Sequence, residues 1–210
     1  MNLWPFHGIL VGMKHNTETL FESFLNGCPH AFEELMTAMI PTIFRFFVRM
    51  GADSHDAEDL SQEFFTRLHN SAHTFRRGSS FRPWAWEIAR NIHFRHHNRQ
   101  QKKNIIYLRD WMAASLTEPL ADSPSDPEFL VDSRLQITSL MGCLSQEKRI
   151  VFELRHFQGL PFSDIAETLD IPEGTVKSRM FNALRDLRRH LLDSESDKGG
   201  SADAQQRRDQ

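Results

Sequence analysis

Between Leu160 and Phe181 the chain carries two apolar stripes at helical spacing with a very short connection between them. Ile165, Ala166 and Leu169 would face inward from a short helix beginning near Ser163. Val176, Met180, Ala183 or Leu184, Leu187 and Leu191 recur at helical steps in a second one. A tight turn through Asp170 and Pro172 re-aims the chain between them, which predicts a helix-turn-helix. The opposite face of the second helix presents Lys177, Ser178, Phe181, Asn182 and Arg185, with Thr175 and Arg179 beside them. Cations that seek phosphates, hydrogen-bonding groups and one apolar residue are what a helix needs to read a major groove. The plain alternative is a solvated basic face on a three-helix bundle; the turn chemistry and an exposed Phe181 weigh against it.

The first half of the chain is helical by the same criterion. Leu20, Phe21, Phe24 and Leu25 form one apolar set, and Phe32, Leu35, Met36, Met39, Ile43 and Phe47 a second, which Pro41 is expected to interrupt or kink. Gly51, Asp53 and Ser54 end that helix and begin the next, over about Asp56 to Asn70, with Ala57, Leu60, Phe64 and Leu68 on its inner face. After a Gly-Ser turn at Arg77–Ser80, Phe81, Trp84, Ala85, Ile88 and Ile92 share a stripe. This places Trp84 in the core and leaves Trp86, Arg90, Asn91 and Arg95 elsewhere on the helix, Trp86 as the better exposed aromatic. Pro83 suits the first turn of that helix.

Charge separates by segment although the chain as a whole carries only -3. Gly51–Thr66 has five acids and no Lys or Arg, whereas Arg76–Lys103 has eight basic residues against Glu87 alone. Asp110–Ser133 is again purely acidic, and Pro172–Leu192 has five basic residues against two acids. Ala113–Asp132, with Pro119, Pro124 and Pro127 and no apolar period, reads as a linker. The predicted organisation is all-α: an N-terminal extension (1–15), a helical domain (16–105), an acidic linker (106–132), a helix-turn-helix domain (133–192) and a polar tail (193–210) expected to be disordered. The roughly 23 residues from Asp110 to Asp132 reach roughly 75 Å when extended, and two turns of B-DNA span roughly 70 Å, so the two basic modules could occupy elements about two turns apart.

Several function classes are excluded. Cys28 and Cys143 make no disulfide framework and read as buried or idle thiols in a reducing compartment. The apolar start from Trp4 to Met13 has no preceding charge and no cleavage site, and Met39–Val48 is shorter than a bilayer span and contains Pro41 and Arg45. A cytoplasmic protein without membrane insertion is expected. No catalytic triad, phosphate loop or metal motif is present, so the chain is not expected to be an enzyme or to hold a cofactor or metal. His93, His96 and His97 splay apart on a helix and read as solvated or phosphate-facing, and Asp53, Asp56 and Asp59 lack a cation loop geometry.

Three motifs in order resemble one family. Gly174-Thr-Val-Lys-Ser-Arg is similar to the recognition-helix start of bacterial extracytoplasmic-function sigma factors. Asp56-Ala-Glu-Asp-Leu-Ser-Gln-Glu-Phe-Phe-Thr-Arg-Leu resembles the family's polymerase-binding helix, and Phe81-Arg-Pro-Trp-Ala-Trp-Glu-Ile-Ala-Arg-Asn-Ile its promoter-melting helix. The resemblance covers about Thr17 to Leu192 and implies a region 2-like bundle joined to a region 4-like helix-turn-helix.

It further implies that Asp56, Asp59, Gln62 and Glu63 dock on the clamp helices of the largest subunit of core RNA polymerase, with the flap of the second-largest subunit as a further contact. Read without the resemblance, those residues are a solvated acidic face. Trp86, Arg90, Asn91, Arg95 and Arg99 would meet the downstream promoter element, where aromatic faces and cations hold unstacked bases. Thr175, Lys177, Ser178, Arg179, Phe181, Asn182 and Arg185 would meet the upstream one. Promoter DNA and an anti-sigma factor complete the implied partners. Asn182 and Leu184 stand where the family commonly has arginines, and His96 and His97 also depart from its pattern. The rival function is a stand-alone helix-turn-helix regulator, which would bind its site without polymerase.

Overall fold

The computed structural model describes the backbone of residues 17–114 and 140–206 and the side chains of 17–101 and 140–193. The N-terminal extension and residues 115–139, most of the expected linker, lie outside that range. Among the described residues there are helices and no strand. In chain order they are α1 (17–25), α2 (Ala31–Arg49), α3 (Ser54–Ser71), α4 (Phe81–Ala114), α5 (Gln146–Phe152), α6 (Phe162–Leu169) and α7 (Glu173–Gln206), with residues 140–142 also helical ahead of α5. A 3-10 turn (Ala72–Thr74) follows α3, and a π turn (Glu153–Phe157) follows α5. The fold is all-α, with α1 to α4 in one domain and α5 to α7 in the other.

Local signals set the helix ends. Gly51 takes φ +100°, open to glycine without penalty, and lets the chain leave α2. Asp53 then caps α3, its carboxylate accepting from the Asp56 N–H at 2.7 Å. Asp170 closes α6 in the left-handed region at φ +53°, a conformation Asp tolerates better than most residues, so the turn lies where the sequence places it. Pro41 does not interrupt α2, which is continuous from Ala31 to Arg49. Its ring is on the exposed side, where water can satisfy the Thr37 carbonyl that loses its helical donor.

Phe21, Leu35, Ile43, Phe46, Phe47, Phe64, Leu68, Phe81 and Ile92 are buried at the centre of the first domain. Phe21 stacks on Phe81 at 4.3 Å between centroids and meets Phe75 edge-on at 5.0 Å, which anchors α1 to the start of α4. The same apolar cluster continues without a break into Ile150, Val151, Leu154, Leu160, Ile165 and Val176 of the second domain. A smaller cluster of Met141, Leu144, Phe152 and Ala183 packs α5 on α7.

Several expectations are corrected here. Trp86 is 4 % exposed and lies 5.2 Å from the Phe46 ring, in the core rather than on the surface. The cause is that α4 is flanked by α3 on one side and α6 on another, so it buries more than one stripe. Trp84 does pack on the core as expected, half-buried against Phe21 and Phe75. His93 is 3 % exposed rather than solvated. Of the alternatives on α7, Ala183 is buried and Leu184 is exposed; Leu191, expected inward, is exposed too. Both cysteines are free and exposed, which removes the buried alternative of the two given for them.

The helices also outrun the limits drawn from composition at 105 and 192. Residues 100–114 contain no Gly or Pro, and α4 continues through them to Ala114. The backbone of α7 stays helical to Gln206, within the tail expected to be disordered. A nucleated helix adds one hydrogen bond per residue fixed, so a polar composition does not by itself end it.

Candidate nucleic-acid interface

Two helices carry the basic residues singled out from sequence, and the fold treats them differently. On α7, packing of Val176, Met180, Ala183 and Leu187 against α5 and α6 turns the opposite face outward. Lys177, Ser178, Phe181 and Arg185 are exposed there, while Thr175, Arg179 and Asn182 are half-buried along its edges. Phe181 is 68 % exposed with no core to enter, an unusual position for a large apolar side chain. Lys177 holds Glu173 one turn back at 2.7 Å, an exposed pair of little energetic weight that a phosphate can displace. Arg188 and Arg189 are exposed and extend this cationic face by a further turn. They were not picked out from sequence, although Arg189 falls one helical step beyond Arg185.

The base of α7 is fixed from behind. Lys148 of α5 donates to Asp186 at 2.6 Å, and this lowers the Asp186 carboxyl below its ordinary value. The rigid helix therefore presents its outer face without its inner one being free to roll.

On α4, Arg95 and Arg99 are exposed, but Arg90 and Asn91 are half-buried and joined. Arg90 donates through Nε and Nη2 to the Asn91 side-chain oxygen at 3.2 and 2.9 Å, and through Nη1 to the Thr168 carbonyl of α6 at 2.7 Å. The start of α4 is held by a residue missed in the sequence. The Glu18 carboxylate of α1 accepts from the Phe81 N–H at 3.0 Å, the Arg82 N–H at 3.4 Å and the Ser80 hydroxyl at 3.3 Å. No local pattern announces that cap, because donor and acceptor are more than sixty residues apart.

Further along α4, burial pushes His93 down to about 4, helped by the nearby charges of His97, Arg149 and His96. Its Nε2 has no hydrogen-bond partner among the described residues. His96 lies 3.2 Å from Asp56, so it links α4 to α3 rather than facing a phosphate. Among the described residues no group of three or more His, Cys, Asp or Glu could hold a metal.

The acidic candidates lie along α3. Asp59 and Gln62 are exposed, Glu63 is half-buried and paired with Arg67 at 2.6 Å, and Asp56 is half-buried beside His96. Glu58 adds another exposed carboxylate. The surface is anionic and solvent-facing, with its inner side fixed by Ala57, Leu60, Phe64 and Leu68.

Comparison with known proteins places both domains. Residues 27–103 match the family model described as sigma-70 region 2, and residues 134–187 match sigma-70 region 4. The extracytoplasmic-function (ECF) RNA polymerase sigma factor SigX of Bacillus subtilis is 30% identical over 154 residues, which span 71% of this chain and 77% of that protein. The RNA polymerase sigma-H factor of Pseudomonas aeruginosa is 28% identical over 175 residues, 81% of this chain and 91% of that protein. CnrH, solved in complex with the cytosolic domain of CnrY, superimposes with a TM-score of 0.62 at 19% identity, covering 85% of this chain and 98% of CnrH. The sigma factor RpoE of Bartonella quintana, solved with the anti-sigma factor NepR, gives 0.57 at 23% identity, covering 78% and 98%. At these identities the two structures establish a shared fold.

Proposed function

The chain belongs to the ECF sigma factors of RNA polymerase, and from that membership we propose how its helices divide the work. Its function is that of an RNA polymerase sigma factor: it serves transcription initiation and binds DNA. The α3 carboxylates Asp56, Asp59 and Glu63, with the amide of Gln62 among them, dock on core polymerase at the clamp helices of its largest subunit. Exposed charges of this kind set orientation and on-rate more than final affinity. The second domain contacts the flap of the second-largest subunit.

The α7 face reads the upstream promoter element. Lys177, Arg179 and Arg185 supply phosphate contacts, Ser178, Thr175 and Asn182 supply hydrogen bonds, and Phe181 supplies an apolar contact of the kind a thymine methyl offers. The α4 surface holds the separated strands of the downstream element through Arg90, Asn91, Arg95 and Arg99. Trp86, being in the core, supports that helix instead of stacking on a base. Polymerase makes the phosphodiester bonds, and no reaction or cofactor is assigned to the chain itself. Its place of work is the cytoplasm, where polymerase is; no described helix is long and apolar enough to cross a membrane.

An anti-sigma factor is a further partner. The support is that both solved relatives named above were captured in complex with a second protein, which for RpoE is an anti-sigma factor. The observation that carries the division of labour is the outward face of α7, where Lys177, Phe181 and Arg185 stand exposed on a helix anchored from behind. The test mixes the purified full-length chain with core polymerase and a promoter library. A stable complex and promoter-dependent transcripts are expected. Tight DNA binding without polymerase, and no complex with it, would favour the stand-alone regulator.

A further inference from the structure

The helix α4, assigned above to the downstream promoter element, begins on support from α1. A helix leaves its first backbone N–H groups without partners of its own, and a Ser, Thr, Asp or Asn just ahead of it commonly satisfies them. Ser80 stands in that place, yet its hydroxyl donates to Glu18 of α1 at 3.3 Å. The Glu18 carboxylate does the capping from a separate helix, accepting from the Phe81 N–H at 3.0 Å and the Arg82 N–H at 3.4 Å. Its negative charge also meets the positive end of the α4 dipole.

The loop ahead of α4 has a second tie to the same helix. Arg77 donates from Nη1 to the Asn26 side-chain oxygen at 3.3 Å and from Nη2 to the Leu25 carbonyl at 3.2 Å. Leu25 ends α1 and Glu18 is its second residue, so the two ties stand about 10 Å apart along one helix. On either side of the loop the rings are packed, since Phe21 of α1 stacks on Phe81 and meets Phe75 edge-on.

Between those rings Arg76, Arg77, Gly78, Ser79 and Ser80 are all exposed, and the turn there uses a φ of +88° at Gly78. A cleft of about 210 Å³ separates α1 from this stretch, with Glu22, Leu25, Gly78 and Ser79 among its walls. A space of that size has room for several waters, so hydrogen bonds rather than packing give the exposed stretch its position. Without them the loop would have to be ordered at the moment a strand is captured, and the first turn of α4 would fray. Order established beforehand removes that cost from the capture step.

We propose that Glu18 is a positioning residue for promoter opening: from α1, without reaching DNA, it fixes the first turn of α4 and, together with Arg77, the loop that leads into it. Binding of core polymerase, placed on α3, does not draw on this tie. The role in opening rests on the sigma-factor reading; the tie itself does not.

Two readouts on the full-length chain test it. In holoenzyme, Glu18→Ala should lower the yield of open complex on a duplex promoter about tenfold, the size of a lost cap, while affinity for core polymerase keeps its natural value. Glu18→Gln retains an oxygen that can accept from both N–H groups and should recover opening to within about threefold. Arg77→Ala should lower opening in the same direction as Glu18→Ala. Hydrogen exchange reads the tie directly: the Phe81 and Arg82 amides should exchange at least about tenfold faster in Glu18→Ala than in the natural chain, and near the natural rate in Glu18→Gln. A merely structural role would lower polymerase affinity and opening together. That result, normal opening by Glu18→Ala, or equal defects in Glu18→Gln and Glu18→Ala would each overturn the proposal. If Glu18→Ala loses its helicity, Arg77→Ala, at an exposed loop position, decides by the same split between opening and polymerase affinity. A natural chain that opens no promoter would remove the sigma-factor reading, and the role in opening with it, even with the exchange pattern as expected.

Discussion

Arg90 of α4 and Thr168 of α6 are joined across the domain boundary by a 2.7 Å hydrogen bond from the guanidinium to the main-chain carbonyl, while the other arm of Arg90 holds Asn91. One side chain thus orients the asparagine proposed to meet an unpaired promoter base and ties its helix to the neighbouring domain. Arg90→Ala is expected to lower open-complex formation about tenfold, the size of one lost charge-assisted hydrogen bond, while core polymerase still binds. Asn91→Ala should do the same. Permanganate footprinting of the melted strand measures both.

On α7 the expected losses are at the upstream element. Lys177→Ala should weaken holoenzyme binding to duplex promoter and reduce the slope of log affinity against log salt by about one, the signature of a lost phosphate contact. Phe181→Ala should weaken it with the slope unchanged, since an apolar contact releases no counterion. Titrations at several salt concentrations separate the two, and equal slopes for both variants would contradict the assigned roles.

Charge reversal on α3 should give the opposite pattern. Asp59→Arg is expected to slow association with core polymerase several-fold and to leave dissociation little changed, as exposed charges act chiefly on encounter. DNA contacts of any holoenzyme that does form should be normal. Stopped-flow anisotropy with labelled chain reads both rates.

His93 supplies a pH dependence of stability. Burial, with the charges of His97, Arg149 and His96 around it, holds its folded value at about 4, below the ordinary 6.5. The unfolded chain therefore binds the proton first. Stability is complete above about pH 6.5 and falls as the pH drops toward about 4, by a total of about 3 kcal/mol from this group. Urea midpoints at about pH 7.5 and about pH 4.5 should differ less in His93→Leu than in the natural chain. An identical difference would show that His93 is not the source.

Capping gives a test confined to the fold. Asp53→Ala removes the 2.7 Å bond to the Asp56 N–H and should destabilise the protein by about 1 kcal/mol in urea unfolding. Asp53→Asn should restore most of it, because the amide oxygen can accept the same bond.

Much of this protein is written locally. The inner faces of α1, α3 and the helix-turn-helix pair, the Asp53 cap, the turn at Asp170 and the outward set Lys177, Phe181 and Arg185 each depend on residues within one or two turns of chain. Periodicity and turn chemistry are enough to find such features. The acidic α3 face is equally legible, since one apolar stripe fixes which side of a singly packed helix looks outward.

The helix α4 marks where that reading stops. Trp86 lies off the stripe drawn through Phe81, Ile88 and Ile92, yet it is buried because Phe46 and the flanking helices come to it from elsewhere in the chain. His93 is buried for a related reason, and Glu18 caps a helix whose first residue lies 63 positions away. The sequence by itself determined where two of the turns fall, which charges gather on each helix and where the helices of both domains begin, though not how far α4 and α7 run. Only the tertiary structure decided which arginines remain outside, because Arg49, Arg82 and Arg90 find their acceptors in the other domain. A partner more than seventy residues distant leaves no periodic trace in the chain; it exists only once apolar burial has brought the two domains together.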